Sequence, residues 1–129
     1  NFDFTPATEP MWVRGDKVQL QQVIINLLMN AMQAMSGMHG KERVLMASLT
    51  RPPNGDVTLR VQDNGPGIST QNLPSLFNPF FTTKPEGMGM GLSICRSIID
   101  AHGGRIWAES DLGHGAALNF SLPACEQIL

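Results

Sequence analysis

Cysteines are few, the net charge is small and long apolar runs are missing, and each of these features argues against a class of protein. The two cysteines, Cys95 and Cys125, lie far apart and form no metal pattern, so reduced thiols of a cytosolic protein are the simplest interpretation. Nine basic and eleven acidic residues give a net charge of −2, so no positive field indicates nucleic acid. No apolar run approaches about 20 residues, so no membrane-spanning helix is predicted.

The amino terminus has neither the basic segment nor the apolar stretch of a secretory signal. It begins with Asn1 instead of Met, so we expect an excised fragment of a longer protein. The 129 residues are enough for one domain with a core of its own, and we predict a single domain over 1–129.

Two long helices are predicted. Asp16, with Gln19 three residues later, forms a capping box, and the helix that follows is expected to run to about Met35. Its apolar residues recur at helical spacing: Leu20, Val23, Ile24, Leu27, Leu28, Ala31 and Met35. The second helix is predicted from Gly91 to His102, where two glycines supply a cap.

Alternating apolar and polar residues predict the strands. We expect two short extended pieces within 1–15, a hairpin formed by 43–51 and 56–63, and two later strands at 105–109 and 116–122. A long glycine-rich loop, with a short helical turn near 71–77, separates the hairpin from the second helix. Blocks of strands and helices in this order indicate a two-layer α/β sandwich with the helices on one face.

The sequence Asp-Asn-Gly-Pro-Gly-Ile at 63–68 is the strongest candidate for a site. Val57, Leu59, Val61 and Asp63 fall on one face of the predicted strand, so the Asp63 carboxylate should point into the core. A buried carboxylate is costly unless a donor reaches it. The glycines that follow let backbone approach a ligand closely, which predicts the floor of a ligand pocket.

Three other features have a functional and a structural interpretation. Asn26 and Asn30, one helical turn apart, suit a hard cation or a solvated helix face. Gly-Met-Gly-Met-Gly at 87–91 suits an anion at a helix N-terminus or a flexible linker, and it matches neither the P-loop nor the dinucleotide fingerprint. Lys84 suits a phosphate contact or an ordinary exposed lysine.

Aromatic and histidine residues have simpler interpretations. Three phenylalanines in the predicted loop are expected to anchor a lid to the core, and they are Phe77, Phe80 and Phe81. The three histidines lack the spacing of a metal site or a catalytic triad. We expect each to be structural or exposed, and they are His39, His102 and His114.

Taken together, the order of these motifs resembles the catalytic ATP-binding domain of bacterial sensor histidine kinases, which belong to the Bergerat-fold ATPase superfamily. The resemblance covers nearly the whole chain. Residues 22–31 resemble the N box, 63–67 the first glycine box, 77–84 the F box, 87–91 the second glycine box and 113–115 the third. It implies a mixed, mostly antiparallel sheet covered on one face by helices, with a glycine-rich ATP lid.

The resemblance also implies roles for individual residues. Asp63 would accept a hydrogen bond from the adenine amino group, and Asn30 would coordinate Mg²⁺. Asn26, Asn30 and Lys84 are the implied catalytic residues. The implied ATP-binding residues are Asn30, Asp63, Gly65, Gly67, Ile68, Phe80, Thr83, Lys84, Gly87, Gly89, Met90, Gly91 and Leu92.

One position separates two branches of the superfamily. The hydrolysing branches have a glutamate at the position of Asn26, and an amide cannot act as a general base. The resemblance therefore implies a kinase, with an ATP-driven clamp or a non-catalytic nucleotide-binding module as alternatives. Ala116 stands where many relatives have threonine, so a hydroxyl group near the adenine is absent.

The resemblance also implies partners for this domain. None of its histidines matches the family's phosphoacceptor, which lies in a preceding helical dimerisation domain. The resemblance implies that the γ-phosphoryl group passes to that histidine and then to the receiver domain of a response regulator. It implies no nucleic acid, no membrane contact by this domain, and a cytoplasmic location whether or not the longer protein has an anchor.

Overall fold

Two helices and seven strands form the described part of the chain. The computed structural model describes residues 2–5, 12–35, 42–51, 55–68, 73–78, 91–111 and 115–125. The helices are α1 (Lys17–Ala34) and α2 (Gly91–Ala101), and a short 3₁₀ turn spans Leu73–Ser75. The strands are β1 (Phe2–Thr5), β2 (Trp12–Val13), β3 (Leu45–Thr50), β4 (Val57–Asp63), β5 (Arg105–Asp111), β6 (Gly115–Leu122) and β7 (Ala124–Cys125).

The main sheet has five strands in the order β1-β3-β4-β6-β5. β1 runs parallel to β3, and the other neighbours pair antiparallel. α1 packs on β4, and α2 packs on β5 and β6. These observations confirm the predicted two-layer sandwich with a mixed, mostly antiparallel sheet. The prediction missed β7, a two-residue strand after Pro123 that pairs with β2 in a separate ribbon.

α1 begins and packs as its sequence predicts. The Asp16 side chain accepts a hydrogen bond from the backbone N–H of Gln19 at 3.0 Å, which satisfies one of the free donors of the first turn. The predicted stripe faces the sheet: Val23, Leu27, Ala31 and Met35 are buried, and Leu20, Ile24 and Leu28 pack against them. Within the described residues, neither helix combines the length and the hydropathy that crossing a membrane requires.

His102 joins the end of α2 to the beginning of α1. Its Nε2 accepts a hydrogen bond from the backbone N–H of Asp16 at 2.9 Å, and its Nδ1 lies 2.7 Å from the carbonyl oxygen of Ile98. The two contacts assign the ring proton to Nδ1, because Nε2 must act as the acceptor. His102 is therefore structural, as predicted, whereas His39 and His114 lie outside the described residues.

Replacing His102 by alanine should destabilise the fold without touching the candidate site. The variant loses the hydrogen bond from Asp16 that joins the two helices and the contact with the Ile98 carbonyl oxygen within α2, which should lower the free energy of unfolding by about 1–2 kcal/mol. Urea unfolding measures this change. Arg96→Ala is the matched control, because it breaks an exposed ion pair on the same helix, worth less than about 1 kcal/mol. Equal stabilities of the two variants would contradict the assigned role.

Candidate functional site

Asp63 ends β4 with its side chain turned inward, as its position in the alternation predicts. It is 7% exposed and lies on the same face as Val57, Leu59 and Val61, which are buried. The backbone N–H of Gly65 donates to its Oδ1 at 2.8 Å. Burial raises the pKa of Asp63, and hydrogen bonds from the backbone N–H groups of Gly65 and Ala116 oppose that rise.

The donors that reach Asp63 modify one sequence-based expectation. The resemblance implies that adenine donates a hydrogen bond to this carboxylate. In the structure, two backbone N–H groups of the protein already donate to it. A carboxylate has about four lone-pair positions, so acceptor capacity remains for a ligand. Ala116 has no side-chain hydroxyl group, but its main chain takes part in holding the carboxylate.

The turn after Asp63 fits closely against α1. A Cβ atom at Gly65 would lie 3.0 Å from Asp63 Oδ1 and 3.2 Å from the carbonyl oxygen of Ala34, so a side chain here would force these neighbours to move by a few tenths of an ångström. Gly67 has a φ of 82°, a backbone conformation that is unfavourable for residues with a side chain. The backbone N–H of Ile68 donates to Ser110 Oγ on β5. The predicted pocket floor is thus fixed on two sides.

Gly115 supports the turn from β6. A Cβ atom there would lie 2.1 Å from the carbonyl oxygen of Asp63 and 3.0 Å from the Cα of Asn64. This contact brings the first and third glycine motifs together, although they are far apart in the sequence. The neighbouring residues 112–114 lie outside the described chain.

Asn64 has a structural role that the sequence analysis missed. Its Oδ1 accepts from the backbone N–H of Val44, and its Nδ2 donates to the carbonyl oxygen of Glu42, each at 2.8 Å. The backbone N–H of Asn64 donates to the carbonyl oxygen of Val44 at 3.2 Å. An asparagine directly after a strand, flanked by turn residues, was the available signal, since asparagine readily bonds to nearby backbone.

Asn26 and the N-terminus of α2 meet at the other end of the site. The Asn26 side chain, half-buried, is hydrogen-bonded to the thiol of Cys95, which is fully buried on the second turn of α2. Burial raises the pKa of Cys95, and that hydrogen bond opposes the rise. α2 begins at Gly91, beside the half-buried Leu92, and its first turn has no acidic residue. Its first N–H groups suit an anion.

α1 connects the Asp63 turn at one end of the site with α2 at the other end. Ala34 contacts the turn at Gly65, and Asn26 contacts α2, eight residues earlier. At 1.5 Å per residue the two contacts are about 12 Å apart, with the half-buried Asn30 between them. The site therefore suits an elongated ligand, with a hydrogen-bond donor at Asp63 and an anionic end near α2.

Several predicted site residues lie outside the described chain. They are Phe80, Thr83, Lys84, Gly87, Gly89 and Met90. Their roles stay predictions, and so does the lid. Phe77 is described, and it packs half-buried against the core cluster, which agrees with its predicted anchoring role.

A cavity lies on the face of the sheet opposite to Asp63. It has a volume of about 360 Å³ and is bordered mainly by polar residues of three strands, among them Arg60, Gln62 and Glu109. Arg60 donates to Glu109 at 2.7 Å, which lowers the pKa of Glu109. Arg60 and Gln62 alternate with Asp63 along β4, so this cavity does not open onto the Asp63 carboxylate.

The fold and the arrangement of motifs define a nucleotide-binding ATPase domain of the Bergerat type. The sequence profile described as "Histidine kinase-, DNA gyrase B-, and HSP90-like ATPase" matches residues 15–126, so the chain belongs to this family. The sensor protein FixL of Bradyrhizobium diazoefficiens is 48% identical over 115 residues, which are 89% of this chain and 22% of FixL. The chain thus spans about a fifth of that relative.

Solved structures agree with this assignment. The catalytic domain of the histidine kinase ThkA superposes with a TM-score of 0.81 at 37% identity, over 95% of this chain and 78% of that one. ThkA in complex with the response regulator protein TrrA gives a TM-score of 0.78 at 34% identity, over 97% of this chain and 34% of that one. The chain is a histidine kinase-type ATPase domain, and the predicted family and fold are confirmed.

Proposed function

We propose that this domain binds ATP with Mg²⁺ and transfers the γ-phosphoryl group to a histidine on a separate helical dimerisation domain. The observation that carries the proposal is the Asp63 carboxylate, which is buried, anchored by backbone N–H groups and left with acceptor capacity at the floor of the site. That arrangement suits the exocyclic amino group of adenine. The phosphates would then lie at the opposite end of the site, near Asn26 and the N-terminus of α2.

The residues near α2 fit a triphosphate and its metal ion. Mg²⁺ takes hard oxygen ligands and keeps water and phosphate oxygens around it, so the amide oxygen of the half-buried Asn30 can supply one protein ligand. The ion would neutralise charge on the transferring group. The N–H groups at the beginning of α2 would hold phosphate oxygens, together with Gly87, Gly89 and Lys84 of the predicted lid.

Asn26 favours transfer over hydrolysis. Its amide cannot take a proton from water, and its hydrogen bond to Cys95 holds it against α2. Catalysis would then rest on positioning and charge neutralisation, as is usual for phosphoryl transfer. An ATP-driven clamp is the second candidate, which steady-state hydrolysis by this domain alone would support.

The longer protein supplies the remaining parts of the proposal. ThkA, the structural relative, was crystallised with the response regulator TrrA. We propose that a response regulator receiver domain likewise accepts the phosphoryl group from the dimerisation domain here. The 129-residue chain would be the catalytic fragment, located in the cytoplasm.

The proposed transfer is tested with labelled ATP and the helical phosphoacceptor domain. Label should appear on that domain's histidine, while the chain alone should hydrolyse ATP at a rate close to the uncatalysed background. Rapid hydrolysis without label on histidine would favour the clamp. Nucleotide binding with neither activity would favour a non-catalytic module.

Asn30→Ala should reduce Mg²⁺-dependent transfer at least tenfold. The change removes the only amide oxygen assigned to the metal and leaves the adenine end intact, so ATP affinity without Mg²⁺ should stay within about twofold. Initial rates of histidine labelling at several Mg²⁺ concentrations measure the effect. Asp56→Asn is the control, because Asp56 is exposed immediately before β4 and lies outside α1. Equal rates in the two variants would remove the ligand role.

A further inference from the structure

The outer face of α1 carries large apolar side chains that the core does not use. Four of them are exposed: Val18 by 71%, Ile25 by 54%, Met29 by 48% and Met32 by 52%. The buried stripe of the same helix already packs on the sheet, so these residues have no part in the core. Single exposed apolar residues need no explanation, but a continuous group on one helix indicates a contact surface.

The four residues form one stripe along the helix. At about 100° per residue they fall within an arc of roughly 60°. Their spacing of seven, four and three residues is close to the repeat by which two helices pack along a seam. Lys17 is the only charged residue in the 18 residues of α1, so the seam has almost no charge on either side. We refer to Val18, Ile25, Met29 and Met32 as the outer stripe.

The outer stripe borders the candidate site. Asn26 and Asn30 lie about 90–130° around α1 from the centre of the stripe, between it and the buried face. The exposed Gln22 fills the space between the stripe and Asn26. A helix packed along the stripe would therefore lie beside the amides that we assign to the phosphates and the metal.

We propose that the outer stripe docks an uncharged, apolar face of the helix that carries the phosphoacceptor histidine. This inference rests on the proposed function and adds the surface by which the acceptor reaches the phosphate. A stable complex uses roughly 20–30 residues on each side, whereas this surface offers four apolar side chains and a few amides. Such a small surface suits a contact that forms and breaks in each cycle between domains of one polypeptide.

Methionine oxidation tests the docking without requiring activity. Met29 and Met32 are on the stripe, whereas Met46 is 41% exposed on β3 and serves as an internal control. Oxidation by dilute peroxide, followed by mass spectrometry, gives a rate for each residue. Adding the phosphoacceptor domain with a non-hydrolysable ATP analogue should lower the oxidation rates of Met29 and Met32 at least threefold and leave the oxidation rate of Met46 unchanged. Unchanged rates at all three residues would overturn the proposal.

Protection that appears in the chain alone and rises with its concentration would also overturn the proposal. In that case a second copy of this domain, not the acceptor helix, would cover the stripe. Protection of Met46 to the same extent as Met29 and Met32 would indicate a general effect and would count equally against it.

A paired substitution separates docking from nucleotide binding. The double variant Ile25→Gln with Met29→Gln should lower the rate of histidine labelling at least fivefold and leave ATP affinity within about twofold. Met46→Gln is the matched control and should behave as the wild type. If the wild type transfers phosphate and the double variant equals the control, the docking surface is wrong and the proposed function stands. If the wild type itself transfers nothing, the proposed function fails, and the oxidation rates alone decide on the surface.

Discussion

Replacing Asp63 by asparagine is expected to weaken ATP binding about 100-fold. The buried carboxylate already accepts two backbone N–H groups, and the adenine amino group would become a further donor. Asparagine keeps the size of the side chain but has a single acceptor oxygen, and its NH₂ group would face a donor. Hydrogen bonds to charged groups contribute about 1.5–3 kcal/mol, which corresponds to a loss of roughly 10- to 150-fold. Isothermal titration measures the affinity.

Asp56→Asn is the matched control for this prediction. Asp56 is exposed immediately before β4, so its replacement should leave the affinity within about twofold of the wild type. An Asp63→Asn variant that binds ATP as tightly as Asp56→Asn would remove the adenine contact from the proposal. The buried carboxylate would then be a purely structural group.

The same substitution has a consequence for stability that depends on pH. The pKa of Asp63 is raised in the fold, so its contribution to stability is greatest when it is protonated, below the unfolded value of about 3.9. That contribution falls as the pH rises through the folded pKa. In the absence of nucleotide, Asp63→Asn should therefore gain stability relative to wild type as the pH rises above about 4. Urea unfolding at several pH values follows this difference, and a constant difference would contradict it.

Gly115→Ala is expected to destabilise the domain by about 3 kcal/mol or more. The φ of Gly115 is 106°, a region that costs a side chain about 1–2 kcal/mol. The new methyl group would also lie 2.1 Å from the carbonyl oxygen of Asp63, so β6 or the Asp63 turn must shift, at a cost of about 1–3 kcal/mol. The midpoint of thermal unfolding should fall by roughly 10–20 °C.

Gly91→Ala provides the contrast. A Cβ atom at Gly91 would meet nothing within 4 Å, and the residue opens α2, where alanine is the better helix former. Its stability should equal or exceed that of the wild type by a few tenths of a kcal/mol. If both variants unfold at the same temperature, the contact between β6 and the Asp63 turn is not the reason for glycine at 115.

Much of the fold could be predicted because its signals are local. The alternation of β4 placed Asp63 on the buried face, and the spacing of apolar residues in α1 selected the helix face that packs on the sheet. The Asp16 cap also follows from residues three apart. Each of these features depends on a period or a short motif, so no knowledge of distant contacts is required.

The features that escaped prediction depend on distant parts of the chain. β7 has two residues, too short for a periodic pattern, and its partner is β2 near the other end of the chain. The Ala116 N–H group reaches Asp63 because β6 lies beside β4, an order that the sequence does not state. The contact between Asn26 and Cys95 likewise requires the packing of α1 on α2.

The Cys95 thiol can report on the contact between α1 and α2 through its chemical reactivity. It is fully shielded from solvent beneath Asn26, so a thiol reagent can reach it only when α1 and α2 separate. Its labelling rate therefore reports the frequency of that local opening, and the half-buried Cys125 on β7 provides a reference outside this contact. A ligand that spans the two helices would slow the reaction in proportion to its occupancy. The protein thus contains its own kinetic probe of how often α1 and α2 separate.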